Sequence, residues 1–349
     1  MQSIPTPVTA EFVAAFPNAI DPFALSLNEN PFPPLPAVRS ALIRSIDAAN
    51  RYPEFLPERL RRLIASHIGM PADQVVLGAG ATGVVLQALQ ALTAAGDVIA
   101  TASPTFDGYP IVAQMSRLTS LTVPLDEDGH NDLDGLADAA ANARVVVVCR
   151  PHNPTGTLEP TAEIVRFLRR VPRDTIVLLD EAYIEFAAPE HRIDASALTA
   201  RFPNVVVVRT FSKAYGLAGL RIGYGLASPE LAQTLWTQQL PFGIAITSLL
   251  AVAASYHAEE QLLQRIRVIT AERRYLRMRL SALGIYTTDA HANFLYLPSR
   301  GRLWQEELAD SGLHVRFYAD GGARITVGSR ASTLAVLSAV GKSAAMTAS

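Results

Sequence analysis

Four short segments of this chain combine groups that hold anions, exchange protons or attack carbonyls. The first, Gly78-Ala79-Gly80-Ala81-Thr82-Gly83, opens a helical stretch with free backbone amides and the Thr82 hydroxyl, an arrangement that binds phosphate. The second, Arg209-Thr210-Phe211-Ser212-Lys213-Ala214-Tyr215-Gly216, sets Lys213 beside the hydroxyls of Thr210 and Ser212, with Arg221 shortly beyond. The third, Asp180-Glu181-Ala182-Tyr183, puts a carboxylate and a phenol just past a β-branched run. The fourth, Arg150-Pro151-His152-Asn153-Pro154-Thr155-Gly156, closes another such run with an amide side chain. Taken singly, each has an ordinary structural role: a glycine turn, a solvated lysine, a helix-capping aspartate, an Asn-Pro turn.

For these groups to meet, the chain must bring them to one edge of a scaffold, and its hydrophobic pattern describes one. Short β-branched runs at 74–77, 97–100, 144–149, 175–179 and 204–208 are continuous enough to be strands buried on both faces. Segments 57–69, 81–95, 109–117 and 160–171 carry helical spacing, so the centre reads as an α/β fold, a mostly parallel sheet flanked by helices. In such sheets ligand-binding groups collect at the carboxyl ends of the strands, where Asn153, Asp180 and Lys213 fall. From about 248 to 284 the pattern becomes one long helix, with Leu262, Ile266, Ile269, Leu276, Leu280 and Leu283 on a common stripe. Strand-like 294–297, 313–317 and 324–327 and helix-like 302–311 then read as a smaller α+β domain, and proline-rich 30–36 as an extended connection. The expected division is an N-terminal arm and part of a small domain over 1–40, a large cofactor-binding domain over 41–247, and a long interdomain helix with a C-terminal small domain over 248–349.

The 349 residues are 49% hydrophobic and 18% charged, which excludes a disordered chain and supplies a large core. The 30 basic and 32 acidic residues leave a formal charge of -2, too little positive field for nucleic acid to be the main partner. A single cysteine, Cys149, excludes a disulfide framework and a cysteine-rich metal site, and no metal is expected. The first residues lack the basic start, apolar centre and cleavage site of a secretory signal. Glycines and amides interrupt the uncharged run 75–96, so a cytoplasmic protein away from the membrane is expected.

One cofactor needs all four segments at once. Pyridoxal 5'-phosphate requires a lysine amine for its aldehyde, a carboxylate to keep its pyridine nitrogen protonated, donors to its ring oxygen and an anion site for its phosphate. Lys213 and Asp180 supply the first two, and Asn153 and Tyr183 the donors. Thr210, Ser212 and Arg221, with the amides near Ala81 and Thr82, supply the anion site. The glycine turn also matches the G-x-G-x-x-G dinucleotide fingerprint, which keeps a nicotinamide-dependent oxidoreductase open. No strand ending in an acidic residue follows about 20 residues on, where a ribose would need one.

The segments Asn153-Pro154-Thr155-Gly156 and Asp180-Glu181-Ala182-Tyr183 and the stretch TFSKAYGLAGLRIGY at 210–224 resemble, in order, the fold-type I pyridoxal-phosphate-dependent aminotransferases. Within that superfamily the chain is most similar to the histidinol-phosphate aminotransferase branch, which includes aromatic amino acid aminotransferases. The resemblance implies the fold-type I transferase architecture, pyridoxal 5'-phosphate as cofactor and a homodimer with shared active sites. It implies that Phe106 stacks on the pyridine ring, that Tyr52 reaches the cofactor phosphate of the neighbouring subunit, and that Arg324 grips the substrate α-carboxylate. Asn28 and Asn293 match positions that line or support the site, and Arg316 is a candidate for a substrate phosphate. Phe23, Phe32 and Tyr318 are candidates for contact with an aromatic side chain.

The implied reaction passes an amino group from an aromatic L-amino acid or histidinol phosphate to a 2-oxo acid, 2-oxoglutarate by the resemblance, in ping-pong order with Lys213 moving the proton. Two departures set the aromatic donor level with histidinol phosphate or ahead of it. Ala81-Thr82-Gly83 stands where the histidinol-phosphate pattern has an acidic pair, and the arm lacks a tyrosine before Asn28-Glu29-Asn30. A decarboxylase of a phosphorylated amino acid, in the same fold, is the alternative.

Overall fold

Alternate residues of a strand face opposite ways, and in the central strands of this chain both ways lead into apolar packing. The structure, a computed structural model, describes residues 17–347; the chain start read for a secretion signal and residues 1–16 of the expected arm lie outside them. Its main sheet holds β1 (Val75–Gly78), β2 (Val98–Ser103), β3 (Thr119–Pro124), β4 (Val145–Cys149), β5 (Ile176–Asp180), β6 (Val205–Thr210) and β7 (Gly223–Leu226), in the order β1-β7-β6-β5-β4-β2-β3. Val146, Val148, Val177, Leu179, Val205 and Val207 enter one apolar cluster, and Val145, Val147, Ile176, Leu178, Val206 and Val208 enter the other. This two-sided burial is why the strands read as unbroken β-branched runs. Helices Glu58–Ile68, Leu133–Ala140 and Thr161–Arg170 cover the first face, and Gly80–Leu92, Gly108–Met115 and Pro229–Trp236 the second.

The pairing decides which loops meet. β2 is parallel to β3 and β4, β4 to β5 and β5 to β6, with Cys149 opposite Asp180 and Asp180 opposite Val208. The segments that follow β4, β5 and β6 therefore emerge side by side. β7 is antiparallel to both β6 and β1, so β1 runs in the direction of β6 and its carboxyl end opens at the same edge.

Strands β3 and β7 extend the sheet beyond the runs read from the sequence. β3 is an edge strand, mostly exposed, and so lacks an apolar run. β7 carries glycines because another backbone passes close by: a Cβ on Gly223 would lie 2.4 Å from the carbonyl carbon of Gly80.

The expected long helix is two helices, Ile246–His257 and Glu259–Ala282, parted at Ala258, whose φ of -109° and ψ of 30° leave the helical region. Leu262, Ile266, Ile269, Leu276 and Leu280 of the expected stripe are buried, whereas Leu283 lies past the helix end and is exposed. A second sheet, order β8-β10-β9, consists of β8 (Phe294–Leu297), β9 (Arg316–Phe317) and β10 (Ala323–Thr326), all antiparallel. It has its own core, with Leu276 and Leu280 of the long helix packed with Leu295, Leu297, Trp304, Ile325 and Val336, and with Leu25 from the start of the described chain. The expected helix over 302–311 is reduced to Trp304–Glu307 and the 3-10 turn Ala309–Ser311. Among the described residues no helix is long and apolar enough to cross a membrane.

Candidate active site

Lys213 lies just past β6, on a turn clamped by Asn30, whose Nδ2 donates to the carbonyls of Lys213 at 3.1 Å and Ala214 at 3.0 Å. The lysine Nζ donates to the Leu27 carbonyl at 2.9 Å and lies 5.7 Å from the centre of the Tyr183 ring. Burial, helped by the charges of Arg324 and Arg221, pulls its pKa down to about 8. Neutral amine, which a nucleophile or a proton carrier needs, is therefore present near physiological pH.

Asp180 ends β5 and is buried. Its Oδ2 accepts the Tyr109 hydroxyl at 2.6 Å and its Oδ1 the Ala182 backbone N–H at 2.9 Å. Burial raises its pKa in spite of these donors. Arg209 and Arg150 pair with the next residue, Glu181 taking Arg209 Nη2 at 2.7 Å and Arg150 Nη1 at 3.7 Å, and Asp180 has no salt bridge among the described residues. Tyr109 is a site residue that sequence reasoning missed; its one signal was its place near Phe106 at the start of a helix.

Removing the Tyr109 hydroxyl has a predictable cost. A Tyr109→Phe variant leaves the ionised Asp180 carboxylate short of one donor, and the apoprotein is expected to lose about 1–3 kcal/mol near neutral pH. The donor holds the Asp180 pKa down, so the variant pKa rises further and the loss shrinks as acid protonates the carboxyl. Chemical denaturation of both proteins at neutral and acidic pH measures this, and a loss independent of pH contradicts it.

Tyr183, Asn153 and Arg324 form the next group, all buried. The Tyr183 hydroxyl accepts Asn28 Nδ2 at 3.0 Å and Asn153 Nδ2 at 3.5 Å. Asn153 Oδ1 accepts from Arg324 Nη1, and Arg324 Nη2 donates to the Ser26 carbonyl at 2.5 Å. Asn28, at a φ of 55°, is bound to Thr326, and Asn293 Nδ2 holds its carbonyl at 3.1 Å.

Beside them β1 ends and the Gly80–Leu92 helix begins. Gly80 has a φ of +74°, and a Cβ there would lie 2.5 Å from Arg221 Nη2. Both the backbone conformation and the close approach require glycine. Arg221 donates to Ala79 O at 3.2 Å, Ala218 O at 3.0 Å and Ser212 Oγ at 3.4 Å, and Thr210 Oγ1 donates to Ser212 Oγ at 3.0 Å. A guanidinium, two hydroxyls and the first amides of a helix thus converge, as an anion requires.

Ala81, Thr82, Phe106, Asn153, Asp180, Tyr183, Thr210, Ser212, Lys213 and Arg221 line one cavity of about 220 Å³, together with Cys149, Leu27 and Glu29. Phe106 meets Tyr109 edge-on at 5.3 Å. Other predicted residues lie elsewhere. Tyr52 is 83% exposed and packs on Phe242 at 4.9 Å, away from this cavity. Arg316 is half-exposed and paired with Asp107 at 2.9 Å. Phe23 is exposed, Phe32 packs under Arg265, and Tyr318 lies 5.9 Å from both the Arg316 and Arg324 guanidinium centres. The dinucleotide reading of the glycine turn does not survive the topology. β1 is an edge strand whose neighbour is antiparallel, and β2, which follows the helix, lies beyond β4, so no parallel βαβ unit surrounds the turn.

The family model for aminotransferase class I and II matches residues 20–340. The chain belongs to the class I and II aminotransferases. This aminotransferase is 41% identical over 308 residues to the aromatic amino acid aminotransferase of Cutibacterium acnes, covering 87% of each chain. It is 41% identical over 309 residues to the aromatic amino acid aminotransferase of Streptomyces avermitilis, covering 88% of this chain and 86% of that protein. Among solved structures, the histidinol-phosphate aminotransferase of Sinorhizobium meliloti in complex with pyridoxal-5'-phosphate superposes with a TM-score of 0.86 at 26% identity, covering 98% of both chains. The expected fold-type I transferase architecture is thereby met.

Proposed function

We propose that this aminotransferase uses pyridoxal 5'-phosphate to move the amino group of an aromatic L-amino acid to a 2-oxo acid such as 2-oxoglutarate. The observation that carries the reading is the convergence of the Lys213 amine, the Asp180 carboxylate and the Arg221 anion site on one cavity. The names of relatives about 40% identical over most of the chain favour the aromatic donor and transamination over decarboxylation.

The donor set fits the cofactor. Asp180, buried and without a salt bridge among the described residues, is the carboxylate a protonated pyridine nitrogen would complete. Thr210, Ser212, Arg221 and the amides at Ala81 and Thr82 would hold its phosphate, Asn153 and Tyr183 its ring oxygen, and Phe106 the face of its ring. When bound, the cofactor supplies an aldehyde that condenses with amines and a ring that takes up the electron pair freed at the substrate α-carbon.

Each group of the chain has a task that its setting suits. The neutral Lys213 amine would be the group that holds the cofactor's aldehyde carbon, and its Nζ is the base that would take or return a proton at the substrate α-carbon. Tyr109 and the Ala182 N–H fix Asp180, which would keep a proton on the ring nitrogen. The buried Arg324 guanidinium presents a planar fork to the substrate α-carboxylate. Assay of the purified enzyme with 2-oxoglutarate and a panel of donors tests the reading. The kcat/KM for L-phenylalanine is expected to exceed that for histidinol phosphate, and the reverse order contradicts it.

The reading includes a homodimer. Tyr52, Phe55, Leu240 and Phe242 are exposed together, with Phe55 and Phe242 edge-on at 5.1 Å, an apolar patch of the kind that subunit contacts cover. If Tyr52 serves the neighbouring subunit's site, mixed dimers of Tyr52→Ala and Lys213→Ala chains contain one intact site. Coexpression of these two weakly active variants is then expected to restore up to half of the activity per mixed dimer, whereas no recovery in isolated mixed dimers contradicts shared sites. A large domain over 41–247, a smaller one from both chain ends and a cytoplasmic location complete the proposal, supported by the separate core around β8–β10 and by the buried free Cys149.

A further inference from the structure

Arg316 and Arg324 stand opposite each other in the β9–β10 pairing, so their side chains leave the same face of the small sheet. Arg324 turns inward to Asn153 and Ser26. Arg316 instead meets Asp107 Oδ2 at 2.9 Å, and Asp107 follows Phe106 of the cavity wall. Tyr318 lies 5.9 Å from each guanidinium centre, which ties the ion pair to the surroundings of Arg324. Both partners of the pair are about half-exposed.

We propose that Asp107 is a specificity-determining residue that masks Arg316 and so matches the site to a carboxylate rather than to a phosphate ester. The inference rests on the aromatic-donor reading above. An amino acid and histidinol phosphate each carry an anion beside the carbon that bears the amine. In the amino acid it is a singly charged carboxylate attached directly to that carbon. In histidinol phosphate it is a phosphate with nearly twice the charge, held further out on a CH₂–O arm. One guanidinium satisfies a carboxylate in a bidentate pair. A phosphate reaching past Arg324 needs a second cation, and Arg316 is placed to be that cation, but Asp107 both occupies it and repels the incoming dianion. A half-exposed ion pair adds little to folding stability, so its consequence lies in this choice. Asp107 precedes the Gly108–Met115 helix and makes no side-chain capping hydrogen bond, so Asp107→Asn leaves the helix its bonds.

The experiment compares the cofactor-loaded wild type, Asp107→Asn and the double variant Asp107→Asn/Arg316→Gln. The kcat/KM ratio of histidinol phosphate to L-phenylalanine is expected to rise about tenfold in Asp107→Asn and to fall back in the double variant. The inhibition constant of inorganic phosphate, measured against L-phenylalanine, is expected to fall by a similar factor in Asp107→Asn alone. A ratio and a phosphate constant both unchanged by Asp107→Asn, with phenylalanine still turned over, overturn the proposal and leave the aminotransferase reading standing. A wild type that turns over histidinol phosphate but not phenylalanine overturns the aromatic-donor reading, and this proposal with it.

Discussion

Replacing Lys213 with alanine is expected to lower transamination by about 10⁵-fold or more while the chain keeps its fold. The size of the loss follows from the tasks assigned to one amine: it anchors the cofactor, yields to the substrate and carries the proton. Arginine does not substitute, because a guanidinium stays charged at any pH the protein tolerates and cannot accept the proton. The fold is spared because, among the described residues, Lys213 Nζ makes one hydrogen bond, to the Leu27 carbonyl, and burial already disfavours its charge. The wild-type amine adds a pH signature. With a pKa lowered to about 8, its neutral fraction grows as pH rises through 8 rather than through the ordinary lysine range. Attachment of the cofactor to the apoprotein should accelerate through that window and level off above it. Stopped-flow absorbance over a pH series measures this, and a rate that keeps climbing to pH 10 contradicts the lowered pKa.

The second large effect concerns Asp180. Asp180→Asn keeps the shape of the side chain and one acceptor, for either the Tyr109 hydroxyl or the Ala182 N–H, and removes the charge. Turnover is expected to fall about 10²–10³-fold, the usual cost of losing one preorganised electrostatic partner. Stability of the apoprotein should respond through pH. Burial raises the Asp180 pKa, so the folded chain holds this proton more tightly than the unfolded chain. The ionised form therefore carries a folding cost at neutral pH that relaxes as pH falls through the folded pKa. The asparagine lacks that cost but turns its amide nitrogen to one of the two donors, so the variant apoprotein should gain stability relative to wild type as pH rises through the folded Asp180 pKa. A variant that loses activity and whose stability differs from wild type by the same amount at every pH would mark Asp180 as a packing residue instead. Calorimetry of the two apoproteins beside steady-state kinetics separates the cases.

Much of this arrangement was legible in the chain because the groups that meet belong to segments that follow buried strands. β4, β5 and β6 are apolar on both faces, so their runs stand out, and parallel pairing in register carries Asn153, Asp180 and Lys213 to one edge. Groups delivered by weaker signals were harder to see. β7 is short and glycine-bearing because the Gly80 turn passes against it, and β3 is an exposed edge strand. The break at Ala258 interrupts a pattern whose apolar spacing alone read as continuous. Tyr109 fell at the start of the helical segment 109–117 with no sign of a partner, and only the fold brings its hydroxyl to Asp180, far away in the chain. Asp107 and Arg316 are likewise distant in sequence, and their ion pair depends on how the small sheet faces the main one. The role proposed for Tyr52 is one that a single chain cannot display, because the group it would serve belongs to a second copy.

The most direct measurement is a single turnover without acceptor: cofactor-loaded protein mixed with excess L-phenylalanine, the visible absorption of the attached cofactor followed together with phenylpyruvate release. The expected result is loss of the visible band with about one phenylpyruvate formed per subunit, and return of the band when 2-oxoglutarate is added. Carbon dioxide released without phenylpyruvate, or a band indifferent to phenylalanine and bleached by histidinol phosphate alone, would contradict an aromatic amino acid aminotransferase.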